Sequence, residues 1–418
     1  MMLIKYKTML LMVIMFFAFP ALLAGRFNFA SANEIIITNS PLPLVATPAV
    51  SLLDRIAQAK QLLVKSKPLK FEERRVGKTA KKELVRKQIA LALFNQTTGQ
   101  IFERRVWVKE NDIKNYKKTW QVTFTPDMKG ESLNIQPQWW NSFNTAYQVI
   151  DHPELVVLAN KYLFPTASVP YPGERSKTQY SEILYVPLSD SLQQGELVQS
   201  GKDHIGKMVD AAFQSLQLKN VQSQSVPGKL VTDVVNKDFV KNIIVVEHVD
   251  PDAFSISSDG GRLLTERVLA TIGANQDRAY SYTGSPAGAS GIAQFIRSTY
   301  NTTNKNYPTA GLISDFSLGM ADHENAFKAM VLFFDSHKKE IEGKITRKDV
   351  LAQFGGGVTE EMLALAYNGG STKVIRSVNN YGLAWISSQL NFSVPRIFRP
   401  ETIGYFNKFE AVKNLNLF

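Results

Sequence analysis

Cysteine is absent from all 418 residues, which excludes disulfides, thiolate metal sites, cysteine nucleophiles and a lipid-modified cysteine behind an export signal. Histidine is scarce. His152, His204, His248, His323 and His337 are scattered, and none forms a ligand pair of the HExxH kind, so no metal is expected. Long apolar runs are lacking beyond the N-terminus, and nothing further along the chain is expected to span a bilayer. What remains is a globular composition, 44% hydrophobic and 20% charged, long enough for two or three domains.

The N-terminus reads as an export signal. Lys5 and Lys7 precede an apolar run of 16 residues, Met9 to Ala24, and Ala30-Ser31-Ala32 follows as a small-x-small cleavage pattern. This predicts a signal peptide over residues 1–32 and an exported chain beginning at Asn33, in the periplasm or cell envelope. An uncleaved anchor is the alternative. The run is shorter than the ~20 residues a spanning helix needs, and Pro20 interrupts it. Residues 33–50 read as a linker, with Pro41, Pro43 and Pro48 in an uncharged stretch.

Residues 51–225 are expected to form a mixed α/β, basic N-terminal region. Between 51 and 120 there are 18 Lys and Arg against 7 Asp and Glu, an excess of 11 that equals the net charge of the whole chain. Leu52, Leu53, Ile56, Ala59, Leu62 and Leu63 recur at helical spacing, and residues 79–94 also suit a helix. Residues 101–109 and 120–125 read as strands, and 176–190 alternates in the same way. The basic stretch is either a solvated face or a grip on anionic membrane or wall polymers. Few aromatics interleave it and no nucleic-acid motif is present, so nucleic acid is not an expected partner. Trp139-Trp140 is either a sugar platform or buried core. The polar stretch 220–228 marks a boundary.

From 226 to 418 the pattern turns helical. A helix through DFVKNIIVVEHVDP has Glu247 near its C-terminal end, with the carboxylate at the rim of an apolar run. Desolvation and the helix C-terminus both disfavour its charged form, as a general acid requires. The same Glu could instead be idle at a frayed end. Ser285-Pro286-Ala287-Gly288-Ala289-Ser290-Gly291-Ile292-Ala293-Gln294 is a turn of small residues ending in an amide side chain. Leu363-Ala364-Leu365-Ala366-Tyr367-Asn368-Gly369-Gly370 is an apolar helix that stops on a Tyr and an Asn. Glu401-Thr402-Ile403-Gly404-Tyr405 opens a final helix.

These four segments, in this order, resemble the motifs of the soluble-type lytic transglycosylases over roughly residues 236–410. Asn325 is similar to that family's Asn at the head of a long core helix. His248 stands where the family usually has Ser, Ala293 where it has Met, and residues 256–282 look like an insertion. The resemblance implies a mainly α, lysozyme-like catalytic domain at the C-terminus, and with the mixed N-terminal region the chain is expected to be α+β overall. It further implies that Glu247 is a single general acid/base acting on peptidoglycan glycan strands without a cofactor. Gly291, Gln294, Tyr367, Asn368, Glu401 and Tyr405 are implied to bind substrate or brace the cleft. Two other outcomes stay open: hydrolysis of the same bond, for which Asp250 and Asp252 are the nearest second acids, and an inactive glycan-binding or scaffolding module.

Overall fold

Strand β2 (Lys82–Asn95) organises the first half of the protein and departs from the helix expected for 79–94. Ile89, Leu91 and Leu93 face a cluster with Val106, Val157, Tyr162 and Tyr185. Ala90, Ala92 and Phe94 are equally buried, and the guanidinium of Arg55 from helix α1 (Leu52–Lys65) lies 4.4 Å over the Phe94 ring. A strand covered on both faces is apolar at every position, so hydrophobic periodicity does not distinguish it from a helix. Its central place in a sheet buries six successive apolar side chains, at roughly 2 kcal/mol for each large one. That exceeds the few tenths of a kcal/mol per residue by which Lys, Glu and Leu favour a helix.

The structure is a computed structural model that describes residues 50–418 except 78–81, 128–132, 188, 356 and 392. The expected signal peptide, nearly all of the linker, and residues 79–81 of the expected helix lie outside the described residues. The described residues fall in one compact unit, 46–418, of mixed α/β content. Among them no helix is long and apolar enough to cross a membrane.

The main sheet is antiparallel, ordered β4 (Phe124–Pro126), β3 (Ile101–Lys109), β2, β7 (Leu155–Pro165), β8 (Tyr180–Tyr185). Strand β1 (Phe71–Arg75) pairs the N-terminal half of β2. Helix α1 begins at Ser51, whose side chain accepts the Asp54 amide, and lays its apolar stripe of Leu52, Ile56, Ala59 and Leu63 against β2 and β7. Strands β5 (Ile135–Trp139) and β6 (Ala146–Val149) form a separate ribbon. Trp140 is buried 6.2 Å from Phe124, whereas Trp139 is 43% exposed.

The second half is helical. Helix α3 (Gly195–Leu218; α2 being Glu110–Thr119) contributes Ile205, Val209, Phe213 and Leu216 to the helical core. It crosses α6 (Arg262–Asn275) at backbone contact, because Gly201 and Gly273 carry no side chain. A Cβ on either would stand 2.0 Å from a carbonyl oxygen of the facing helix. Residues 220–228 are tied to the same core: Asp335 accepts hydrogen bonds from the Ser223 and Ser225 hydroxyls and the Gln224 amide. The sheet and the helices are also stitched together. Asn275 exchanges two hydrogen bonds with the Val186 backbone, and Tyr282 enters the aromatic cluster of the sheet.

Candidate active site

Helix α4 (Lys237–His248) carries the first candidate, Glu247. The β-branched run Ile243-Ile244-Val245-Val246 is a poor helix former, yet all four residues are fully buried, and burial decides the conformation. Asn236 caps the N-terminus by accepting the Asp238 amide. The helix stops because Asp250 precedes Pro251 and is held extended. Glu247 is thus one residue from the end of a helix whose apolar face is locked in the core.

The Glu247 carboxylate is half-buried, and the Tyr405 hydroxyl donates to its Oε1 at 2.6 Å. Desolvation pushes the carboxyl up to about 7. The Tyr405 hydrogen bond and the positive charge of Lys408 oppose this without overcoming it. At neutral pH the group is therefore poised to give or to take a proton. Tyr405 and Lys408 both sit on α9 (Pro400–Asn414). The Lys408 ammonium donates to the carbonyls of Val246 at 3.0 Å and Val249 at 2.8 Å, closing the C-terminus of α4 from outside.

His248 faces the other way. Its ring stacks on Tyr280 at 3.5 Å, 7° from parallel, and its Nε2 lies 2.8 Å from the Ile292 carbonyl. Burial drives its pKa down to about 3, so the ring is neutral and Nε2–H donates to that carbonyl. The next carbonyl, Ala293, accepts from the Tyr367 hydroxyl. Tyr367 comes from α8 (Glu360–Gly369), and its ring meets Phe295, Phe333 and Phe334. Burial and the nearby Glu247 charge both raise the Tyr367 pKa. The turn 291–294 is consequently pinned by side chains from two helices.

Gly291 makes that turn possible. Its φ is +70°, and a Cβ there would stand 2.2 Å from the Met320 carbonyl oxygen. Gln294 has φ +49° and folds its amide back, with Nε2 donating to the Gly291 carbonyl at 2.6 Å and reaching Thr283 Oγ1 at 3.5 Å.

Of the residues expected at the site, Glu247, Tyr405, Tyr367 and the Gly291–Gln294 turn are linked through these contacts. Asn368 is exposed beside the end of α8, and Glu401 is exposed on the first turn of α9. Asn325 is buried in a structural knot, bonding Tyr300, the Gly319 carbonyl and the Ile313 amide at 2.8 Å each. Asp250 accepts the Ala253 amide at the start of helix α5 (Pro251–Ser255). Lys408 and Tyr280 escaped the sequence reading. Lys408 did leave a signal there: positions 401, 405 and 408 share one helical face, so a Lys lies beside the expected Tyr. Tyr280 left none, since its stack on His248 depends on the path of residues 256–282.

One cluster among the described residues brings together potential metal donors: His204, Asp277 and His323, with donor atoms within 4.8 Å. The two rings are already bonded to each other at 2.9 Å, and His323 Nε2 reaches the Ala279 carbonyl at 3.0 Å. Burial lowers the pKa of both. They read as a neutral hydrogen-bonded pair holding α3 to α7 (His323–Lys344). Comparison of the chain with family models and with curated proteins gives no match.

Proposed function

We propose that this protein is an exported peptidoglycan lytic transglycosylase whose lysozyme-like helical region cuts the bond between N-acetylmuramic acid and N-acetylglucosamine, with Glu247 as its single acid and base. The observation that carries this reading is the Glu247 carboxyl: half-buried, raised to about 7, and hydrogen-bonded by Tyr405. A carboxyl of that kind is protonated in a large fraction of molecules at neutral pH and loses its proton readily.

In the proposed reaction Glu247 donates its proton to the bridging oxygen, and the bond from that oxygen to C1 of the muramic acid breaks. The Glu247 carboxylate then takes the proton from the same sugar's C6 hydroxyl, and the C6 oxygen closes onto C1. The products are a free 4-hydroxyl on one fragment and a 1,6-anhydro end on the other, and no water is consumed. The nucleophile belongs to the substrate, so its effective concentration is high and no second carboxylate is needed. Tyr405 serves both stages: its hydroxyl supports the carboxylate once the proton has left. Lys408 adds a fixed positive charge on the same side. Of the two nearest further acids, Asp250 caps a helix through one carboxylate oxygen and Asp252 is exposed on that helix's first turn.

Clearing of purified cell wall in a gel, with mass spectrometry of the released fragments, tests the reading. Clearing by wild type and not by Glu247→Gln, with anhydro ends on the products, is the expected result. Reducing ends would mean a hydrolase. Absence of clearing by either protein would mean a glycan-binding module.

A further inference from the structure

Folding brings together three side chains that the sequence keeps far apart and that the chemistry at Glu247 does not use. His204 lies on α3, Asp277 in the turn Gln276–Arg278 that follows α6, and His323 is the first residue of α7. His204 Nε2 lies 2.9 Å from His323 Nδ1 and 3.8 Å from Asp277 Oδ1, and one donor atom from each of the three residues falls within 4.8 Å of the others. Both rings are buried, whereas the Asp277 side chain is 74% exposed. The cluster therefore opens to solvent on its carboxylate side.

Hydrogen bonding fixes which nitrogens face the centre. A carbonyl only accepts, so His323 Nε2 carries its proton toward Ala279 at 3.0 Å, and Nδ1 presents a lone pair. His204 Nε2 points at that lone pair, and the two rings share one proton. A divalent cation can take the place of this proton. His204 then carries its hydrogen on Nδ1, both rings stay neutral, and two lone pairs meet one ion. A ring whose other nitrogen donates to a backbone carbonyl is already oriented as a metal ligand needs to be.

The distances are close to those required. Zinc bonds nitrogen at about 2.0–2.1 Å, so two ring nitrogens on one tetrahedral ion stand about 3.3 Å apart. The rings have to part by a few tenths of an ångström, and the solvent-exposed carboxylate has to swing in by a similar amount. The Asp277 charge offsets part of the ion's charge. Arg278 beside it is engaged by Glu174 at 2.7 Å, and Lys207, a turn along α3 from His204, is exposed.

We propose that His204, Asp277 and His323 form a binding site for a divalent transition-metal ion of the zinc class, with water completing the coordination from the open side. Two imidazoles and one carboxylate suit zinc, cobalt or nickel, and supply too few oxygens for calcium. The ion joins α3, the turn 276–278 and α7. It fastens the segment whose Asp277 carbonyl meets the Tyr171 hydroxyl at 3.0 Å and whose Tyr280 stacks on His248. Its role is structural, and it is independent of the chemistry proposed for Glu247.

The test titrates zinc chloride into the full chain, freed of metal with EDTA, by calorimetry, and repeats this with His204→Gln and Asp277→Asn. A Gln at 204 can still donate to His323 Nδ1, so it preserves a merely structural pair while removing the ligand. Asp277 is exposed, so its replacement leaves the core alone. Wild type should bind about one equivalent of zinc, and each variant should bind it about a hundredfold more weakly. Zinc at a hundredfold excess over Kd should raise the melting temperature of wild type by about 3 °C and that of neither variant. Cobalt should give visible absorption bands with wild type that both variants lose. Absence of stoichiometric zinc binding by wild type would overturn the site. So would binding of equal strength in wild type and both variants, which would assign the zinc to an adventitious surface histidine such as His152.

Discussion

Replacing Glu247 by Gln should stabilise the protein in a pH-dependent way while abolishing its activity, and the two effects have one cause. The folded state holds the carboxyl near 7, against an ordinary value of 4.5. Between those values the native protein binds more protons at this position than the unfolded chain does. Stability of the wild type therefore falls as pH rises through that window and levels off above it. The interval corresponds to about 3 kcal/mol. Gln has nearly the same shape, keeps an acceptor for Tyr405 and carries no charge to desolvate. The variant and the wild type should be about equally stable near pH 4, and the variant should gain about 3 kcal/mol by about pH 8. Urea unfolding of both proteins across that range measures the gap. Cell-wall cleavage should fall by about a thousandfold, in the range seen when a general acid is removed. A stability gap that is flat with pH, or that favours the wild type at alkaline pH, would refute the desolvated, proton-holding carboxyl.

Three further outcomes follow from the same geometry. Tyr405→Phe removes a hydrogen bond that favours the Glu247 carboxylate, so the alkaline limb of the pH–rate profile should move upward, and the rate should drop by about tenfold. Lys408→Met strips the Val246 and Val249 carbonyls of their donor and removes a charge that lowers the Glu247 pKa; chemical denaturation should show a loss of about 2 kcal/mol, with the alkaline limb again displaced upward. Gly291→Ala places a methyl group against the Met320 carbonyl at positive φ, and thermal melts should report a loss of about 2 kcal/mol or more together with lost wall clearing.

The sequence by itself determined the local conformations that carry the candidate site. Asp250-Pro251 ends helix α4 just after Glu247, because the residue before proline avoids helical backbone. A glycine at 291 meets a left-handed turn, and the period of α9 aligns Glu401 with Tyr405. These are properties of neighbouring residues and are legible in one dimension. Tertiary structure decided the rest. Strand β2 is a strand because it lies between β3 and β7 with α1 packed on it, a fact that lies in those partners and not in its own residues. The proton affinity of Glu247 is likewise set by its surroundings: the bulk that excludes water, a hydroxyl 158 positions further along the chain and an ammonium beyond it. His248 looked like a departure at the site, and folding turned it into a neutral clamp on the Ile292 carbonyl. Desolvation and electrostatic coupling act through space, so they exist only once distant segments have been brought together.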